Sequence, residues 1–166
     1  MGLLDHEEER GSELFVKHYR TKYTAEKHLP VWMVTELISF GTLSKLTENL
    51  RASLRKHLAK DFGLVEPVFV SWLHTIAYIR NVCAHHNRLW NRESGVMPTL
   101  PDEWSAQGIK NDRVYCIALM LNHLLKHVAP TSTWRARLKC VLESLPGLDL
   151  KAMQFPENWE SLEIWK

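Results

Sequence analysis

The sequence predicts an all-α bundle of about five to six helices followed by an irregular, aromatic C-terminal tail. Three observations carry that expectation. Apolar residues recur at spacings of three and four along most of the chain; no segment of useful length alternates with period two; and seven Gly and seven Pro in 166 residues leave room for long helices between breaks. A chain of this length fits one globular domain, since domains commonly run to about 100–150 residues and bury roughly 70% of their unfolded surface at this size.

Ser12 is placed to cap a first helix in which Leu14, Phe15, His18 and Tyr19 lie near one face. Pro30 at a first-turn position opens a second helix, Val31 to Phe40, which Gly41 can end. Thr42 or Ser44 then caps a third helix to about Asp61, with Leu43, Leu46, Leu50, Leu54 and Leu58 on one side and Arg51, Arg55, Lys56 and Lys60 on a solvated side. Glu66-Pro67 opens the central helix, extended to about Trp90, with Trp72, Ile76, Ile79, Cys83, His86 and Trp90 along one stripe. Gly95 to Gly108 reads as a loop. Asn111 or Asp112 caps a fifth helix, Arg113 to His127, and Pro130 and Ser132 separate it from a sixth, Thr133 to Leu145. After Pro146-Gly147, the residues Phe155, Trp159 and Trp165 are expected to pack back as an aromatic strap.

Composition excludes several function classes. Lys+Arg number 21 against 19 Asp+Glu, a net charge of +2, which is neither a polybasic tail nor a charged disordered chain. No apolar run approaches the roughly 18–20 residues of a membrane span, and Met1 to Arg10 is acidic, without the basic and apolar regions of a signal peptide. A cytoplasmic protein without membrane association is expected, with residues 1–11 flexible. Cys83, Cys116 and Cys140 are odd in number and irregularly spaced, so buried reduced thiols are expected rather than disulfides or a zinc knuckle.

The informative segment is Arg80 to Arg92. It concentrates three Arg, three Asn and two His in thirteen residues, with no acid until Glu93. On a continuous helix Asn81, His85, Arg88 and Arg92 would share a face, with Arg80, Asn87 and Asn91 on the neighbouring stripe, a cationic surface suited to an anion. The residue types fit phosphodiester cleavage: imidazole can take or give a proton near neutral pH, and guanidinium can clamp a phosphate and stabilise developing charge. Arg80 and His85 are five apart, about 140° around an ideal helix, so Arg80 must reach round. Spacing alone is a weak signal, because Arg-x4-His arises by chance in roughly every second chain of this composition. Arg51 and His57 form a similar decoy.

Longer motifs say more. Leu29-Pro30-Val31-Trp32-Met33, continuing to Ser39-Phe40-Gly41-Thr42-Leu43-Ser44, resembles a signature of the bacterial Abi-like abortive-infection family. Ser71-Trp72-Leu73-His74 and Tyr78-Ile79-Arg80-Asn81-Val82-Cys83-Ala84-His85-His86-Asn87-Arg88-Leu89-Trp90-Asn91-Arg92 resemble its second signature, and Met153-Gln154-Phe155-Pro156-Glu157-Asn158-Trp159 is similar to its C-terminal element. The resemblance runs collinearly from about Phe15 to Trp165. It implies a single HEPN-like domain over residues 1–166, lacking the additional N-terminal region usual in the family before about Leu14. It also implies a metal-independent endoribonuclease, toxin-like in effect, with no cofactor and no metal. The motif's Arg, following polar residue and His fall on Arg80, Asn81 and His85. RNA is the implied substrate and a homodimer the implied assembly, two motifs meeting in one cleft. Restraint by an antitoxin protein, by a noncoding RNA or by latency as a monomer stays open.

Other residues carry secondary expectations. Glu36, in an otherwise apolar helix, is assigned a hydrogen bond or ion pair with Arg80 or His85, against the alternative of a core-edge carboxylate. His86 falls on the apolar stripe and reads as a packed structural histidine supporting the site. Asn87, Arg88 and Arg92 are assigned phosphate contacts, against a solvated helix end. His123 and His127 are spaced i,i+4 but have no third ligand nearby, so no metal site is assigned. A non-catalytic domain that binds RNA or a protein through the same helix is the alternative function, and a structural helical adaptor is a third.

Overall fold

A computed structural model describes residues 11–165. Among them are eight α-helices and three 3-10 turns, with no strand, which agrees with the all-α expectation. The expected flexibility of residues 1–11 falls, apart from Gly11, outside the described residues. The chain divides into two compact units, one through Leu46 and one from Thr47 onward.

The first unit contains α1 (Leu14–Lys22), α2 (Val31–Leu37) and most of α3 (Phe40–Glu48). Its core is Val16, Leu29, Met33, Val34 and Ile38, flanked by Tyr19, Leu37, Leu43 and Leu46. The face expected for α1 is rotated: Val16 is buried, whereas Leu14 and Phe15 are exposed. Ser12 is no cap here, since Glu13 holds the N-cap position without a side-chain bond. The second helix is also shorter than expected. Ile38 turns extended (ψ 148°), and Ser39 Oγ then accepts the Thr42 backbone N–H at 3.0 Å, a standard N-cap that starts α3 one turn before the expected caps. Gly41 is therefore inside a helix rather than at its end.

The second unit begins with the last turn of α3 and holds α4 (Ala52–Asp61), α5 (Glu66–Ala84), α6 (Asp102–Ala106), α7 (Val114–Val128) and α8 (Trp134–Glu143). The single helix expected through Asp61 is two helices. Arg55, expected on a solvated face, closes the gap: its Nη1 donates to the carbonyls of Glu48 (2.9 Å) and Leu50 (2.6 Å), and its Nε pairs with Glu66. Those carbonyls would otherwise be unsatisfied at the end of α3. α4 ends on Gly63 at φ 64°, with Leu64 N–H bonded to Ala59 O and Gly63 N–H to Lys60 O, the Schellman pattern.

The helix expected to be central is not the most buried one. Tyr115 to Met120 of α7 are buried all round, and Trp72, Val68 and Trp104 pack with them. Trp104 comes from α6, a short helix in the segment expected to be loop, and its ring lies 5.0 Å from Trp72. The tail behaves as expected. Phe155, Trp159 and Trp165 are buried on this core, the Trp159 and Trp165 rings meeting edge to face at 4.7 Å, and Asn122 Nδ2 donates to the Trp165 carbonyl at 3.0 Å. Of the three free cysteines only Cys116 is buried; Cys83 and Cys140 are exposed, contrary to expectation, because each falls on the outer side of its helix. No single helix among the described residues is long and apolar enough to cross a membrane.

Candidate functional site

α5 carries the informative segment only as far as Ala84. His85 is the C-cap, and His86 takes the left-handed conformation at φ 54°. His86 N–H bonds Cys83 O and Asn87 N–H bonds Val82 O, each at 3.0 Å, a complete Schellman ending with histidine where α4 uses glycine. The helix expected to run to Trp90 therefore stops two turns early. Histidine tolerates this conformation better than most side chains, and the two backbone bonds offset its cost.

The consequence for the expected shared face is direct. Arg80 and Asn81 stand exposed on the last turns of α5 and His85 stands exposed at its cap, but Asn87, Arg88 and Arg92 belong to the chain after the reversal. His86 is exposed rather than packed, and Trp90 is 39% exposed rather than on a buried stripe. Arg88 lies 5.9 Å from the Trp90 ring centroid, a cation–π pair of two exposed groups. Arg80 Nη1 donates to Asn81 Oδ1 at 3.2 Å, which brings together two of the three residues assigned to catalysis. Glu36 belongs to the first unit and is exposed on α2, not set in an apolar face.

The returning segment runs antiparallel beside α5. Arg92 Nη2 donates to Tyr78 Oη at 3.2 Å, Thr99 N–H donates to Ser71 Oγ at 2.8 Å, and Trp72 Nε1 donates to Thr99 O at 2.9 Å. Arg92 is thus half-buried, with its Nε buried and without a hydrogen-bond partner among the described residues. The same guanidinium holds the Tyr78 hydroxyl below its ordinary pKa, chiefly through this hydrogen bond. Gly95 leaves room for that contact, since a Cβ there would stand 3.0 Å from Tyr78 Oη. Arg113 fixes the other side of the segment by bonding Glu93 Oε1 at 2.8 Å and the Asn91 carbonyl at 3.4 Å. Glu93 is thereby directed to Arg113, while Arg80, Arg88 and Arg92 have no carboxylate partner among the described residues. The sequence assigns Tyr78, Gly95 and Arg113 no part in the site; their relation depends on the reversal at His86, for which the sequence offers no glycine.

The two histidines spaced i,i+4 are engaged by backbone. His123 Nε2 is 2.7 Å from Phe62 O, and His127 Nδ1 is 2.9 Å from His123 O. Among the described residues no group of three or more His, Cys, Asp or Glu is arranged to hold a metal.

An exposed Arg–Asn pair at the end of a helix, a histidine at its cap and two further arginines on a pinned return segment lie together in the chain on an all-α scaffold. The chain belongs to the family of Abi-like proteins, whose pattern matches residues 2–91 and so includes the first signature and the second as far as Asn91, but not Arg92 or the C-terminal element. That membership supports a role in abortive infection. No curated protein matches the chain, and neither does any solved structure.

Proposed function

We propose that this protein is a metal-independent endoribonuclease of the HEPN type acting in abortive infection, with Arg80, Asn81 and His85 as its catalytic group. The observation that carries this reading is the Arg80–Asn81 hydrogen bond beside the His85 cap. It occupies one of the five guanidinium N–H groups and leaves the others for a scissile phosphate. His85 takes the proton of a ribose 2′-hydroxyl or gives one to the leaving 5′-oxygen. Attack by the 2′-hydroxyl yields a 2′,3′-cyclic phosphate and a 5′-hydroxyl. Arg88 and Arg92 supply contacts to flanking phosphates, and a second copy of the chain completes the cleft.

The test is cleavage of a synthetic RNA in EDTA by the wild type, Arg80→Ala and His85→Ala. Loss in both variants and cyclic-phosphate ends are expected. Undiminished cleavage by both variants would falsify the assignment, and activity abolished by chelator would sink the metal-free mechanism. The exposed Arg88–Trp90 pair favours a second reading, RNA binding without cleavage, because a cation beside an exposed indole suits a phosphate and a stacked base. That reading gives salt-sensitive RNA binding with no products.

A further inference from the structure

Arg92 carries a charge that the described residues do not neutralise. It is half-buried, it has no carboxylate partner among them, and the acid next to it in the chain, Glu93, is bonded to Arg113 instead. A guanidinium taken partly out of water calls for a partner of opposite charge, and here that partner has to come from outside the described fold. Of its nitrogens, Nε is sealed from solvent and out of a ligand's reach, and Nη2 donates to Tyr78 Oη at 3.2 Å. Nη1 is neither sealed nor bonded among the described residues, so an anion can meet it.

Tyr78 sets where that guanidinium stands. The Arg92 bond is the largest cause of the lowered Tyr78 pKa, and a hydrogen bond from the Gly95 backbone acts in the same direction, so the phenol oxygen accepts from the return segment twice. Along α5, Asn81 follows Tyr78 by three residues, about 60° round the helix, and the His85 cap follows by seven, about 20° round and about 10 Å along the axis. Tyr78 is therefore on the stripe of Asn81 and His85, two turns before the histidine. The guanidinium it holds is set beside a phosphate on which His85 acts, rather than on it.

We propose that Tyr78 is a positioning residue, whose hydroxyl holds Arg92 against an RNA phosphate next to the scissile one, so that the pair serves substrate binding and not turnover. The identity of the polymer rests on the ribonuclease reading above; the test does not need cleavage.

The experiment measures fluorescence anisotropy of a labelled single-stranded RNA in EDTA, with the full chain carrying His85→Ala so that the RNA stays intact. Added to that parent, Arg92→Ala should weaken binding about tenfold and lower the slope of log affinity against log salt by about 0.7, one phosphate contact. Tyr78→Phe should weaken it about three- to fivefold, and should cost nothing further once Arg92 is alanine. Lys56→Ala, at an exposed position on α4, should leave affinity unchanged. With His85 restored, Tyr78→Phe should raise KM for RNA cleavage and leave kcat as it was. Parental affinity in Tyr78→Phe, or a full additional loss from it in the Arg92→Ala background, would overturn the proposal, since the tyrosine would then act on the fold alone. So would no RNA binding by the parent, or a Lys56→Ala loss equal to that of Arg92→Ala. RNA bound with the expected coupling but left uncut by the wild type would sink the ribonuclease reading and leave the Tyr78–Arg92 contact standing.

Discussion

Arg80 and Asn81 are consecutive residues of α5, so their side chains leave the helix about 100° apart, yet Arg80 Nη1 meets Asn81 Oδ1 at 3.2 Å. The arginine is long enough to curl round the last turns, and the asparagine gives it a fixed point. Exposed hydrogen bonds add little to stability, so Asn81→Ala should change the unfolding free energy by less than about 0.5 kcal/mol. Its effect should fall on turnover, with RNA cleavage in EDTA lowered about tenfold through loss of orientation. Equal activity in wild type and variant would show that Asn81 does not position Arg80.

His86 sits at φ 54° with both Schellman bonds made. His86→Gly keeps those bonds and removes the steric cost, so it should stabilise the protein by about 0.5–1 kcal/mol, a rise of a few degrees in thermal midpoint. His86→Val, β-branched, should lower it. Thermal denaturation of the pair reads both signs; destabilisation by glycine would mean that the imidazole makes a compensating contact.

Tyr78 and Arg92 share one hydrogen bond that Gly95 makes room for. Gly95→Ala should cost about 1 kcal/mol or more, because the new Cβ and the tyrosine oxygen cannot both keep their places. Tyr78→Phe should cost about 1 kcal/mol and leave the guanidinium less well satisfied. The lowered Tyr78 pKa gives a further sign. A folded-state value below the unfolded value adds stability above the unfolded pKa of about 10, lost as pH falls through the folded value. Ultraviolet titration should therefore show one tyrosine ionising early in the wild type and none doing so in Arg92→Gln.

His123 is packed edge-on to Trp72 at 5.3 Å and bonds the Phe62 carbonyl. Burial lowers its pKa most; the Phe62 bond pulls the other way, and His127 and Lys126 add to the lowering. The unfolded chain binds a proton more readily between the folded value and about 6.5, so this contribution is complete above about pH 6.5 and drains away as pH falls through the folded value. Urea unfolding at about pH 7.5 and pH 5 should show the loss, and His123→Gln, which does not titrate, should show a shallower one. Parallel behaviour of the two proteins would exclude His123 as the source.

Arg55 joins three elements through Glu66 and the carbonyls of Glu48 and Leu50. Arg55→Ala should destabilise by about 1–3 kcal/mol, since it leaves a partly buried carboxylate and two carbonyls short of a donor. Lys56→Ala, on the exposed face of the same helix, should be near neutral.

These residues also show what the sequence could disclose. Glu66-Pro67 is a strong local signal, and α5 begins where it puts it; the helix expected to run to about Asp61 does end there. The aromatic tail was legible because Phe155, Trp159 and Trp165 are too apolar to leave in water. Arg55 was not, because an arginine every turn or so along a leucine-rich helix looks the same whether it is solvated or holds carbonyls. The break between α2 and α3 is expected at Gly41 and falls at Ser39 instead, because Ser39, Thr42 and Ser44 are all good caps and the sequence does not say which one is used. At the candidate site Arg80, Asn81 and His85 were legible as a motif. The Tyr78–Arg92 contact was not, because it follows from a left-handed histidine, an energetic choice of about 1–2 kcal/mol that leaves no composition signal.

The sixteen residues between Ala84 and Pro101 form no regular helix, yet they are fastened at short intervals: Asn87 to Val82, Arg92 to Tyr78, Ser94 to Asp112, and Thr99 to Ser71. Freezing such a segment costs conformational entropy of about 1–2 kcal/mol for each backbone residue, and folding has already met that cost. If the proposed RNA contacts at Arg88 and Arg92 are made, the partner would meet a preorganised platform and lose little affinity to ordering it. Its binding should carry only the small heat-capacity change of rigid docking, without the large one of coupled folding.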